Sequence, residues 1–212
     1  MKRNTYFTAI ISLLIITSVN SANAQRQDHI WDFSVNNQQY TVGLYGGLTG
    51  SYFEFAGDPA GMLSYQAGIV INGKFGIGLT GSGLYYDQQM PGLVADGSYH
   101  VNSGWNGGYI ERMFTVTPRL RASLAWESGR GLFFYRYDNE FRAEKLWHEE
   151  IIDGDTYFVN KPTIKAHFRV AGNWWLGLEA AYTLASPVKA IAVDEKAMNG
   201  FSTGISLSYG IF

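Results

Sequence analysis

From Gly200 to Phe212 the chain reads GFSTGISLSYGIF, with Phe201, Ile205, Leu207, Tyr209 and Ile211 alternating against Ser202, Ser206 and Ser208. Successive side chains of a β-strand point to opposite faces, so a period of two gives one oily face and one polar face. The same pattern recurs upstream. Leu120, Ala122, Leu124 and Trp126 alternate with Arg119, Arg121, Ser123 and Glu127. Ile164, Ala166, Phe168 and Val170 alternate with Thr163, Lys165, His167 and Arg169. Trp174, Leu176, Leu178, Ala180 and Tyr182 oppose Glu179 and Thr183, and Phe75, Ile77 and Leu79 oppose Gly76, Gly78 and Thr80. A chain made of such segments folds as sheet, and each segment separates an apolar from a polar environment.

Strands that cross a bilayer need about 9–11 residues. The alternation predicts eight, at residues 39–49, 62–71, 74–86, 99–114, 119–134, 156–170, 174–184 and 200–212. Short links fall at Asn72-Gly73, a dipeptide suited to the positive φ of a tight hairpin, at residues 115–118 and at residues 171–173. Longer links fall between them, at residues 50–61, 87–98, 135–155 and 185–199. Short periplasmic turns alternating with long outer loops are the bacterial barrel pattern. The expectation is an all-β fold, an eight-stranded antiparallel transmembrane β-barrel with both termini on the periplasmic side.

The N-terminus agrees. Lys2 and Arg3 precede a short apolar run from Ala9 to Val19, and Ser21-Ala22-Asn23-Ala24 supplies a small-residue cleavage site. Three parts are expected: a secretory signal at 1–24, a periplasmic lead at 25–38 and the barrel at 39–212. The signal holds two of the 16 basic residues and none of the 18 acidic ones, which leaves a formal charge of −4 on the mature chain. No basic stripe tracks a phosphate backbone, which argues against nucleic acid. There are no cysteines, so an exported chain of this kind relies on a closed hydrogen-bond network. Aromatics near strand ends favour the membrane over a secreted sandwich, since Trp and Tyr settle at the lipid–water interface.

The closing GFSTGISLSYGIF and the segment GGYIERMF at 107–114 resemble strands of small outer-membrane barrels of Bacteroidota, a group of unassigned function with an OmpA- and OmpX-type architecture. The resemblance implies that the insertion machinery recognises the C-terminal strand, with Phe212 as its signal. Phe212 itself stands one residue out of phase with the lipid-facing stripe through Tyr209 and Ile211. Outer-membrane lipids and lipopolysaccharide are the other partners expected, together with an unidentified extracellular ligand. The cell outer membrane is the expected location.

Seven charged or ionisable residues share the inward faces of adjacent strands: Arg119, Arg121, Glu127, Lys165, His167, Arg169 and Glu179. Buried charges must be paired, so the expected role is a structural network filling a narrow lumen. A pore or catalytic centre is the sharper alternative. His167 falls on the inward face of an expected strand, and Ser123 and Glu127 reach it only through the lumen; no His-x-Ser pair lies in any strand. No cofactor or metal is expected. Asp153-Gly154-Asp155 holds part of a calcium-loop pattern without its closing Glu, and a solvated mixed-charge loop explains 135–155 better. Trp147 and Phe141 in that loop are expected over the barrel mouth or against lipopolysaccharide. The segment His29–Phe33 reads as a partner handle or, more simply, as chain that folds across the barrel floor or stays loosely ordered. Gly46-Gly47 and Gly81–Gly83 lack the Lys-Ser/Thr of a phosphate loop. The leading functional expectation is a non-enzymatic barrel for envelope integrity or surface interaction. A small passive channel comes next, and a lipid-modifying enzyme third.

Overall fold

The computed structural model describes residues 30–86, 98–138, 151–190 and 193–211. Among these residues nine antiparallel strands run in chain order: β1 Trp31–Val35, β2 Gln38–Phe55, β3 Asp58–Ile71, β4 Phe75–Tyr85, β5 Ser98–Thr117, β6 Leu120–Asp138, β7 Ile151–Ala171, β8 Trp174–Ala185 and β9 Gly200–Ile211. Each pairs with the next, and β9 returns to pair with β2 from Leu44↔Ile211 to Phe53↔Ser202. Strands β2–β9 thus form a closed eight-stranded barrel. Paired residues lead from Leu120 through Phe168, Leu176, Leu207, Leu48, Tyr65, Gly81 and Asn106 back to β6 at Arg130. The circuit closes ten residues further along the strand, and that stagger tilts the strands.

Turn chemistry explains the tight links. Asn72 and Gly73 adopt φ of 54° and 61°, and Asn36 and Asn37 adopt 49° and 63°, the doubly positive geometry of two-residue hairpins. Asn72 also accepts from the Thr41 amide through Oδ1 at 2.9 Å. β7 contains Pro162, which has no amide to donate. The β7–β8 ladder skips from Asn160↔Leu184 to Thr163↔Ala181 there, and the Thr163 hydroxyl donates to the Lys161 carbonyl at 3.3 Å.

The structure corrects three boundaries. Residues 50–61 are not a long loop: β2 and β3 continue to a two-residue turn at Ala56-Gly57, where φ is 53° and 91°. The alternation was obscured because Phe53 and Phe55 face inward, where a polar residue was expected. The lead 25–38 contains β1, which pairs with Gln38–Val42 of β2 as an external hairpin rather than crossing the floor. The span 135–155 is strand at both ends, so Asp153, Gly154 and Asp155 are β7 residues. The signal, the loop aromatics Phe141 and Trp147, and Phe212 lie outside the described residues.

The wall faces follow the alternation. Leu124, Trp126, Ile164, Phe168, Leu176, Leu178, Ile205 and Leu207 are exposed on the outer surface. Facing side chains on the other side are buried, including Ser123, Glu127, Lys165, His167 and Glu179. No described helix is long and apolar enough to span a bilayer. A closed ring with an apolar exterior needs none, because its backbone groups are satisfied strand to strand.

Candidate functional site in the barrel interior

Two interior glycines make room for larger groups. A Cβ on Gly131 would run into the Tyr157 ring, and one on Gly177 would meet the Ser206 hydroxyl and, at 3.1 Å, His167 Nδ1. With that space available the lumen fills in three layers.

At the periplasmic floor, Trp175 is fully buried, with the guanidinium carbons of Arg121 and Arg169 4.8 and 4.5 Å from its ring centre. Cations over an indole face are held by its quadrupole. Tyr45, Val70 and Met113 pack together at the same level.

The middle layer is ionic. Glu127 lies 3.5 Å from Lys165 Nζ and 3.7 Å from Lys161 Nζ, and Lys161 also lies 3.8 Å from Glu179. Lys165 donates to Gln66 Oε1 at 2.7 Å. Thr80 and Thr163 each donate to Glu127 at 3.4 Å, and Thr49 donates to Glu179 at 3.3 Å. Beside this chain, Ser123 donates to Glu111 Oε1 at 2.5 Å, with His167 Nε2 3.5 Å from the hydroxyl and 3.9 Å from the carboxylate.

The outer layer is apolar. Phe53, Phe55, Tyr86, Trp105, Phe133, Tyr135, Tyr157 and Val159 pack beneath Val188, Ala197 and Met198 of the β8–β9 connection. That connection is pinned by polar contacts. Ser186 exchanges two bonds with the Phe158 backbone, and Asn199 Oδ1 accepts from the Ala185 amide at 2.5 Å. Asp155, at the outer rim above the lipid belt, accepts from the amides of Lys189 at 2.8 Å and Thr156 at 2.7 Å. These bonds hold its carboxyl below the ordinary aspartate range, the Lys189 amide contributing most.

Of the seven residues expected in the lumen, Glu127, Lys165, His167 and Glu179 are buried in the ionic layer. Arg121 and Arg169 sit at the floor. Arg119 is a correction: it is exposed in the β5–β6 turn, because β6 begins at Leu120 and the period-two pattern stops one residue short of it. Glu111 and Lys161 were missed, although both are buried at the centre. Their signals were present. Glu111 alternates with Ile110 and Arg112 in the GGYIERMF segment, and Lys161 keeps the parity of Thr163 and Lys165 across Pro162.

Ser123, His167 and Glu111 resemble a nucleophile–base–carboxylate set in composition only. The serine proton goes to the carboxylate, and serine and carboxylate approach the same imidazole nitrogen, leaving Nδ1 with no hydrogen-bond partner among the described residues. A working triad needs the carboxylate on the far nitrogen, so that the near one can accept from serine. All three side chains are also buried in the lumen, away from the lipid-facing wall.

No family model matches the sequence, and no curated relative does. Solved structures are similar in fold. The Neisserial surface protein NspA aligns at a TM-score of 0.52 and 11% identity, covering 82% of this chain and 99% of that one. The N-terminal β-barrel domain of Pseudomonas aeruginosa OprF aligns at 0.47 and 10% identity over 79% and 96%. Ail, the attachment invasion locus protein of Yersinia pestis, aligns at 0.44 and 11% over 80% and 97%. The likeness to NspA is one of fold: a small closed β-barrel of the outer-membrane type.

Proposed function

We propose that this protein is a sealed, non-enzymatic barrel of the outer membrane, serving the envelope as a structural and surface-interaction element. The observation that carries the reading is the continuous filling of the lumen. The Trp175 floor, the Glu127–Lys161–Glu179 chain and the Val188–Met198 cap are stacked along one axis. An interior cavity between Phe53, Ser103, Tyr157 and Met198 has a volume of about 10 Å³, around the minimum for a single water. Ion flow needs a continuous wet path, and these layers interrupt it.

In this reading the buried charges serve stability, the wall meets outer-membrane lipids and lipopolysaccharide, and the C-terminal strand β9, with Phe212 next in sequence as its signal, engages the insertion machinery. Single-channel recording in planar bilayers tests it. The purified, heat-modifiable protein is expected to be electrically silent. Reproducible stepwise conductance, shifted by Glu127→Gln, would establish the passive channel instead.

A further inference from the structure

We propose that the outer wall carries a binding site for the phosphorylated sugar headgroup of an outer-leaflet glycolipid, formed by Arg130, Asn106 and Asn160. The proposal rests on the outer-membrane placement above and adds a specific partner.

Arg130 is exposed on the lipid side of β6, in the same alternation as Trp126, Ser128 and Leu132. Among the described residues it makes no ion pair. A cation on this face is strongly disfavoured at mid-bilayer and tolerated near the interface. Arg130 lies ten residues along β6 from Leu120. At about 3.3 Å per residue and 35–45° of tilt, that is roughly 25 Å above the periplasmic edge, the height of the apolar band. The guanidinium therefore stands at the outer headgroup level.

Its neighbours are set to donate. Asn106 pairs directly with Arg130 across β5–β6, and Asn160 stands on β7 opposite Ser128. Trp126 Nε1 donates to Asn160 Oδ1 at 3.3 Å, and Ser128 Oγ reaches the same oxygen at 3.0 Å. An indole N–H cannot accept, so this contact fixes the amide with its NH₂ group turned away from Trp126. Asn106 Oδ1 likewise accepts from the Tyr65 hydroxyl at 2.7 Å, again leaving the NH₂ to donate. One guanidinium and two amide donors, with no carboxylate among them, make a receptor for an oxyanion, and a planar guanidinium suits the two oxygens of a phosphate.

The adjoining wall favours a sugar. Gly104 and Gly108 flank Asn106 on the outward face of β5, and a Cβ at nearby Gly83 of β4 would meet nothing within 4 Å. These glycines leave a stretch of wall beside the Tyr65–Asn106 pair without side chains of its own, with room for a ring, which a single glycerol-linked phosphate does not need.

The test uses the full barrel in detergent micelles, with bound lipid counted by native mass spectrometry during titration. The probes are a phosphorylated diglucosamine glycolipid, its dephosphorylated form, phosphatidylglycerol and inorganic phosphate. Wild type is expected to bind one phosphorylated glycolipid in preference to the other three. Arg130→Gln should weaken that binding about tenfold, the loss of one charge-assisted hydrogen bond, while Arg130→Lys and Asn160→Ala lose less. Heat-modifiable migration confirms that each variant is folded. Equal binding of the dephosphorylated lipid, of phosphatidylglycerol or of free phosphate, or full affinity in folded Arg130→Gln, would overturn the proposal. Neither outcome touches the sealed-lumen reading, which the conductance measurement decides separately.

Discussion

Replacing Lys161 with methionine removes an ammonium that lies within 4 Å of two buried carboxylates. Its Nζ lies 3.7 Å from Glu127 and 3.8 Å from Glu179, so each attraction amounts to about 4 kcal/mol at an effective dielectric of 20. The distances exceed those of good hydrogen bonds, so the interaction is Coulombic in the main. Desolvation of the lysine offsets part of the gain, and removing one partner of a buried pair typically costs 3–5 kcal/mol. The two carboxylates do not suffer equally. Glu127 keeps Lys165 at 3.5 Å, whereas Glu179 keeps the Thr49 hydroxyl at 3.3 Å and feels Lys165, its cross-strand neighbour, only from beyond ion-pair distance. Lys161→Met is therefore expected to destabilise the barrel by about 3–5 kcal/mol, mostly through stranded Glu179. Adding Glu179→Gln should restore half or more of the loss, because the stranded charge goes with it. Urea unfolding in lipid vesicles, followed by tryptophan fluorescence, measures both variants and closes the double-mutant cycle. A single-variant loss below about 1 kcal/mol, the range of an exposed pair, would refute the argument. So would a double variant no more stable than the single.

Three further outcomes follow from local geometry. Ala56 holds φ of 53° in the β2–β3 turn, so Ala56→Gly should raise the unfolding midpoint, by up to about 1 kcal/mol of relieved strain. A fall in the midpoint would mean that the turn differs from the one described. Gly131→Val places a branched side chain against the Tyr157 ring and should cost about 1–3 kcal/mol by overpacking, seen as a lower temperature of the gel-mobility shift. The last concerns pH. The folded Asp155 carboxyl is held below its ordinary value by the Lys189 and Thr156 amides. Its contribution to fastening the outer cap is complete above the unfolded aspartate pKa of about 3.9 and disappears as pH falls through the lower folded value. Amide chemical shifts of Lys189 and Thr156 should then stay constant from pH 7 to about pH 5 and titrate below that, and Asp155→Asn should abolish the titration.

Much of the molecule is local, and the chain by itself determines it. Side-chain period two settles which face of β6, β7, β8 and β9 meets lipid, because one slip of register would reverse every residue. Asn72-Gly73 settles a turn, because both positions need positive φ. Even the two missed charges obeyed the rule, Glu111 by parity within its own segment and Lys161 by parity across a proline. Where parity ran past a strand end, at Arg119, or where an aromatic stood on the inner face, at Phe53 and Phe55, the local signal misled. Polar filling was expected there, and the folded barrel instead supplies an apolar cap from Val188, Ala197 and Met198. Partnership across the lumen lies beyond any local rule. Lys165 reaches Gln66, 99 positions away, and Glu179 reaches Lys161 rather than an arginine. Those heights depend on the ten-residue stagger by which the sheet closes, and closure is a property of the whole ring: every strand's register contributes to it, and no single segment encodes it.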